Sequence, residues 1–104
     1  MNGLTEKDVE YLNGKGFSLN KVSNSYILPL SNLAYVSVYY SEVNSLVVCM
    51  IFSEIDTVTG YGKDAEKAFG TAYFHYRLAY KSITRHIDKL KKIVADTGEA
   101  GPDN

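Results

Sequence analysis

The clearest pattern along the chain is an alternation between Leu33 and Ser41, which has the period of two that predicts a β-strand. One face carries Ala34, Val36, Val38 and Tyr40, and the other carries Tyr35, Ser37 and Tyr39. The next segment, Leu46–Phe52, is apolar on both faces, and a strand of this kind needs cover on both sides. The loop between the two segments, Glu42–Ser45, has the length of a hairpin connection.

A third strand is predicted over Val22–Leu28. Pro29 has no N–H to donate to a neighbouring strand, so it marks an edge or the end of this strand. The segment Ser53–Gly62 is predicted to be a connector that carries strand-like structure no further than Val58.

Two helices are predicted at the ends of the chain. Thr5–Asn13 reads as a short helix with Thr5 as N-cap, ended by glycines. A long helix begins at its N-cap, Asp64, and runs to Ala95, because apolar residues recur at steps of three and four. The order α-β-β-β-α predicts an α+β fold, a three-stranded antiparallel sheet packed by a long C-terminal helix. Residues 1–96 form one domain, and residues 97–104 are predicted to be a disordered polar tail.

The long helix is too long for the sheet. If straight it measures ~48 Å, against ~23 Å for a strand of seven residues. It therefore overhangs the sheet or bends at Gly70. Its second half carries large aliphatic residues at near-heptad spacing, namely Ile83, Ile87, Leu90 and Val94. We predict that these four residues form a homodimer interface. The alternative is a monomer in which the short helix, with Val9 and Leu12, packs on the overhang.

A second apolar face of the sheet is also predicted. If the long helix covers the face with Val36 and Val38, then Tyr35 and Tyr39 are expected to share the other face with Val47, Cys49 and Ile51. Either the short helix covers this second face or a partner protein does.

Charge is distributed unevenly along the chain of 104 residues, whose net charge is −1. The segment from Lys63 to Lys92 contains eight basic and three acidic residues, so the rest of the chain is acidic. Arg77, Lys81 and Arg85 follow an i, i+4 spacing that aligns them on one ridge of the helix, with Lys89 continuing it. A solvated helix face has this pattern, and so does a surface that binds an acidic partner. The predicted partner-binding residues are Tyr35, Tyr39, Arg77, Lys81 and Arg85.

The chain lacks the residue patterns of catalytic and metal sites. His75 and His86 are 11 residues apart, or ~16 Å along a helix, so they cannot share a metal ion. The single cysteine, Cys49, lies in an apolar strand, where a thiolate is disfavoured. We therefore expect no catalytic residue, no metal, no cofactor and no enzymatic activity. The cysteine content, the absence of a signal-peptide pattern at the N-terminus and the short apolar runs favour a cytoplasmic protein without a membrane span.

The stretch Gly-Tyr-Gly-Lys-Asp-Ala-Glu-Lys-Ala, residues 60–68, opens the long helix. With the α-β-β-β-α order, it resembles a double-stranded-RNA-binding domain, and the stretch is also similar to the helix start of HicB-like antitoxins. The first resemblance implies that Lys63 and Lys67 lie on phosphates. Asp64 and Glu66 depart from that family, which is basic at these positions, and the family's helix is much shorter.

The function predicted from these patterns is that of a small non-enzymatic binding or regulatory protein. It acts through protein–protein contacts as a homodimer. Small, tyrosine-rich domains without catalytic residues are typical of phage-encoded inhibitors of host systems, which is one interpretation of this chain. The alternative is a nucleic-acid-binding module of the double-stranded-RNA-binding type, and a third interpretation is a small catalytic subunit.

Overall fold

The computed structural model describes residues 3–54 and 56–97, and within them it contains two helices and one five-stranded antiparallel sheet. The elements are α1 (Glu6–Gly14), β1 (Ser18–Asn20), β2 (Ser25–Ser31), β3 (Ala34–Ser41), β4 (Leu46–Phe52), β5 (Thr57–Gly62) and α2 (Ala65–Thr97). The strands lie in the sheet in chain order, as a meander. The predicted α+β class is confirmed. Residues 98–104 of the predicted disordered tail lie outside the described residues, while Thr97 is the last residue of α2.

The prediction of three strands is wrong, because β1 and β5 also pair with the sheet. β1 has only three residues, too few to establish a period of two. β5 contains two glycines, which disfavour a strand when the sequence is read locally. It nevertheless pairs with β4 along its whole length, from Val47 opposite Gly62 to Phe52 opposite Thr57. Pairing on both edges of the apolar strand β4 outweighs the weak local preference.

Strand β2 begins and ends later than predicted. Its expected start, Val22, lies in an exposed turn in which the side-chain oxygen of Asn20 accepts hydrogen bonds from the N–H groups of Val22 and Ser23. The strand then continues through Pro29 to Ser31. Proline is tolerated there because β1 pairs only with the part of β2 between Ser25 and Ile27, which leaves β2 with one neighbour at Pro29.

The register between β3 and β4 overturns the predicted second face. Ser41 lies opposite Leu46, which places Tyr39 opposite Val48 and Tyr35 opposite Phe52. Residues directly opposite each other point to the same side of a sheet, and a change of one residue in register exchanges the two faces. Val47, Cys49 and Ile51 therefore lie with Val36 and Val38 in the core, not with the tyrosines.

Both helices pack on the same side of the sheet. The core contains residues from the middle strands and from both helices, namely Leu4, Leu12, Phe17, Tyr26, Val36, Val38, Val47, Cys49, Ile51, Ala65, Ala68 and Ala72. Within the described part of the chain, no helix covers the opposite side. None of the described helices is both long and apolar enough to cross a membrane.

Helix α1 is joined to the start of α2 by a buried carboxyl group. The side chain of Thr5 caps α1 by accepting from the N–H of Asp8, and Asp8 Oδ2 accepts in return from the N–H of Thr5. Asp8 Oδ1 accepts a third hydrogen bond, 2.9 Å long, from the N–H of Ala65. The first N–H groups of a helix have no acceptor inside the helix, and Asp8 supplies the acceptor for one of them. Helix α1 therefore lies at the N-terminal end of α2 and not on its overhanging end.

Helix α2 starts where predicted, since Asp64 Oδ1 accepts a hydrogen bond of 2.8 Å from the N–H of Lys67. It continues without interruption through Gly70 to Thr97. Its first half approaches the sheet closely, because Ala68 and Ala72 are fully buried where Gly60 and Gly62 of β5 have no side chain. Beyond Ile83, every side chain described, up to Ala95, is exposed. The helix therefore overhangs the sheet, and the molecule measures 60 × 24 × 23 Å along its principal axes.

Candidate functional site

The overhang of α2, residues 84–97, continues the stripe by which the helix packs on the sheet. Along this stripe Ala72 and Tyr76 are in or against the core, and Ile83 is half-buried next to Ser53 and Asp56. The next three positions of the stripe are Ile87, Leu90 and Val94, whose side chains are 45%, 60% and 49% exposed. Three of the four predicted interface residues thus lie outside the core, and Ile83 lies at the border between the sheet and the overhang.

The overhang is basic. By sequence it contains four basic residues, Arg85, Lys89, Lys91 and Lys92, and two acidic ones, Asp88 and Asp96. The sheet end from which the helix emerges carries acidic residues instead, since Glu54 and Asp56 follow β4 in an exposed loop. In the same loop Ser53 Oγ donates to the carbonyl oxygen of Asp56, and Asp56 Oδ1 accepts from the N–H of Thr57. These bonds hold the loop beside the point where the overhang begins.

The sheet side without a helix is the second candidate surface, called here the tyrosine face. Its central positions, which follow from the register, are Ile27, Tyr35, Ser37, Tyr39, Leu46, Val48, Met50, Phe52, Thr57, Thr59 and Tyr61. None of them is charged. The ring of Tyr35 stacks on that of Phe52, with centroids 4.6 Å apart, and Val48 is buried between its neighbours Tyr39 and Tyr61. Tyrosine and methionine are enriched at the cores of protein interfaces, and charged residues are depleted there.

The predicted basic ridge lies elsewhere. Arg77, Lys81 and Arg85 are exposed on α2, on the helix face that points away from the sheet, and the Arg77 guanidinium lies 5.7 Å from the ring centroid of Tyr73. The structure therefore does not bring this ridge together with Tyr35 and Tyr39. The five predicted partner-binding residues belong to two separate surfaces.

Apolar residues beside the ridge were missed by the sequence analysis. Phe74 and Leu78 are both more than half exposed, and with Arg77 and Lys81 they line a cleft of about 160 Å³. The sequence signal was their i, i+4 spacing on a helix face other than the main stripe. Ile93, also half exposed, lies outside the main stripe as well.

The two lysines of the nucleic-acid alternative line a groove. Lys63 and Lys67 border an open space of about 680 Å³ whose apolar wall is formed by Leu46, Tyr61 and Phe74. The fold does not match the one that the double-stranded-RNA-binding resemblance implies. The sheet has five strands, and Gly60–Gly62 ends a strand instead of forming a turn.

The two histidines and the cysteine lie in different environments. His75 Nδ1 lies 3.0 Å from the carbonyl oxygen of Thr59, so this imidazole supplies a partner for the outer edge of β5. His86 is exposed on the overhang. Cys49 is fully buried, and burial raises the pKa of its thiol to about 12, which suppresses the reactive thiolate near neutral pH. Among residues 3–54 and 56–97, no cluster of three or more histidine, cysteine or acidic residues could hold a metal ion.

No protein-family model matches the chain, and neither a curated protein nor a solved structure shows significant similarity to it.

Proposed function

We propose that this chain is a non-enzymatic binding protein that acts through protein–protein contacts and self-associates through the overhang of α2. The observation that carries the proposal is the half-exposed state of Ile87, Leu90 and Val94 on a stripe whose earlier positions are buried or half-buried against the sheet. Contact between these apolar side chains and water costs free energy, and burial against a partner removes that cost.

The free energy available from the stripe limits the stability of the dimer that it can hold. Full burial of a large aliphatic side chain stabilises by roughly 1.5–3 kcal/mol, so completing the burial of a half-exposed one contributes about 1 kcal/mol. Three such residues on each of two copies contribute about 6 kcal/mol. Association costs about 4–15 kcal/mol in lost freedom of motion. The stripe alone therefore supports a weak dimer at best, and a stable one needs further contacts. A two-fold dimer is the commonest closed assembly.

The tyrosine face supports the binding of a second, different protein. It is uncharged and rich in tyrosine, and within the described residues it has no covering helix. A face of this kind suits an apolar or neutral protein surface better than a nucleic acid, whose phosphates need cations. Regulation of a host protein, as in phage-encoded inhibitors, is one role for such a module.

Self-association is tested by changing the stripe. Ile87→Asp with Leu90→Asp is expected to leave a folded monomer, because both side chains are exposed in the single copy and two carboxylates would be desolvated in the dimer. Sedimentation equilibrium of the wild-type chain, from micromolar to millimolar concentration, should show a mass rising toward twice 11.6 kDa. The variant should stay at the chain mass with an unchanged circular dichroism spectrum.

The matched control is Lys81→Gln with Arg85→Gln. It changes the net charge by the same amount but lies on the opposite side of the helix, so the dimer should persist. A wild-type chain that stays monomeric at millimolar concentration rejects the proposal, and so does a dimer that survives both aspartates.

The nucleic-acid alternative is favoured by one observation, the position of Lys63 and Lys67 beside Tyr61 and Phe74 in one groove. Cations next to aromatic rings are common in nucleic-acid-binding grooves.

If this function holds, Lys63→Glu with Lys67→Glu should abolish binding of a labelled duplex, measured by fluorescence anisotropy at low salt. Lys89→Glu with Lys92→Glu is the charge-matched control. Two phosphate contacts should give a log–log salt slope of about −1.8 for duplex DNA, and contacts from Arg77, Lys81 and Arg85 would steepen it. Absence of binding at low salt excludes the alternative.

A further inference from the structure

We infer that the two copies pair antiparallel, with each overhang lying in the notch between the partner's overhang and the end of the partner's sheet. This inference rests on the proposed self-association, and it assigns both the geometry of the dimer and a second contact surface, the sheet end. Three features of the described residues carry it: the side of the helix on which the stripe lies, the charge of the two surfaces, and the apolar residues at the sheet end.

The position of the stripe excludes a parallel pair. Ala72 and Tyr76 pack on the sheet, and Ile87, Leu90 and Val94 continue the same stripe. The sheet therefore lies on the side of α2 toward which the stripe points. If two parallel helices joined their stripes in register, the two sheets would have to occupy the same space. In an antiparallel pair the sheets lie at opposite ends of the helix pair, and the space beneath each overhang is open to the other copy.

The sheet end that closes the notch is identified by the course of α2. The helix passes Gly60 near Ala72 and Thr59 near His75, and it reaches Ser53 and Asp56 near Ile83. The end with the loop after β4 is therefore the one from which the overhang emerges. The turn between β2 and β3 lies at the same end, since Tyr35 pairs with Phe52.

Charge complementarity favours a second copy as the occupant of this notch. On the overhang Lys91 follows Leu90 and flanks the stripe, while Glu54 and Asp56 lie at the sheet end. With Ile83 of one copy opposite Val94 of the other, Lys91 lies level with His86 of the other copy, about one turn from Ile83, next to which Asp56 lies. A basic helix end thus approaches an acidic loop, and because of the two-fold symmetry this happens twice.

Exposed leucines at the same sheet end supply the apolar contacts that the stripe lacks. Leu30 lies near the end of β2 and Leu33 lies in the turn that follows it, and their side chains are 55% and 66% exposed. They lie at the end of the sheet that the second copy's helix approaches. Their burial adds apolar area to that of the stripe, in the direction needed to overcome the cost of association.

The overlap predicts which residues meet. The overhang of 14 residues is ~21 Å long. When the two stripes face each other antiparallel with their midpoints aligned, Ile83 lies opposite Val94 and Ile87 lies opposite Leu90. Val94 then lies ~16 Å along the axis from Val94 of the second copy, because the two are offset by 11 residues.

Disulfide trapping of the full chain tests this geometry, since a disulfide forms only when two Cα atoms lie within about 7 Å. An equimolar mixture of Ile83→Cys and Val94→Cys chains is expected to give a cross-linked dimer on mild oxidation, whereas each variant alone should not. Because Ile83 is half-buried, Thr84→Cys mixed with Lys91→Cys, both exposed, is a second pair with the same expectation. Lys92→Cys mixed with Ile83→Cys is the negative control, since Lys92 lies on the opposite side of the helix. Native Cys49 is buried and does not interfere.

The outcomes separate the inference from the proposed function. Cross-linking of Val94→Cys with itself in a chain that sediments as a dimer overturns the antiparallel geometry and leaves self-association standing. A dimer in which neither mixture cross-links also overturns the geometry. A chain that remains a monomer overturns both.

Discussion

Replacing Gly60 with alanine is expected to destabilise the fold by about 3 kcal/mol or more, which for a domain of this size lowers the melting temperature by about 10 °C or more. A Cβ atom at this position would lie 2.3 Å from the backbone nitrogen of Ala72 and 2.7 Å from the carbonyl oxygen of Ala68. Both are backbone atoms of α2, so a side-chain rotation cannot relieve the clash and the helix must move off the sheet. Overpacking of a well-packed core costs roughly 1–3 kcal/mol or more.

Gly70→Ala is the matched control. Gly70 lies in α2, the helix that packs against Gly60, and a Cβ there would have no neighbour within 4 Å. Alanine is favoured over glycine inside a helix by roughly 0.5–1 kcal/mol, so this variant should be slightly more stable than the wild type. Thermal unfolding followed by circular dichroism measures both. Equal melting temperatures for Gly60→Ala and the wild type would contradict the close packing of α2 on β5.

Asp8→Ala is expected to cost about 3 kcal/mol, although α1 is short and exposed on one side. The Asp8 side chain is buried, and its two oxygens accept from the N–H groups of Thr5 and Ala65. Its removal leaves two donors without partners, and each such buried donor costs about 1–3 kcal/mol. The loss also separates the two helices at the point where α2 begins, so both are expected to loosen. Urea unfolding at constant m-value measures the change.

Thr5→Ala provides the comparison for this prediction. It removes the hydrogen bond from the N–H of Asp8 to Thr5 Oγ1 but leaves the bond to Ala65 in place, and the loss of an N-cap costs about 1 kcal/mol. Asp8→Asn keeps an acceptor oxygen and should lie between the two. If Asp8→Ala costs no more than Thr5→Ala, the bond between the helices contributes nothing.

The candidate surfaces were predictable to different degrees. The stripe of Ile83, Ile87, Leu90 and Val94 was found from sequence because a spacing of three and four repeats without interruption. That Tyr35 and Tyr39 share a face also followed from alternation within one strand. The residues beside them on that face did not follow, since Val48, Met50 and Phe52 join them only through the register of two strands. The groove at Lys63 and Lys67 has walls from β4, β5 and α2, which no local pattern connects.

The sequence by itself determined the elements whose signals are local: the cap at Thr5, the long helix starting after Asp64, the central strands β3 and β4, and the excess helix length. In each, the signal is a spacing or a cap within a few residues. Only the tertiary structure decided that β1 and β5 are strands, which residues of neighbouring strands share a face of the sheet, and that α1 lies at the start of α2. β1 is too short for a pattern, and β5 carries glycines because α2 approaches its backbone closely. Asp8 serves Ala65, 57 residues away in sequence. These choices depend on which backbones lie against each other, and distant segments must be in place before such contacts contribute any free energy.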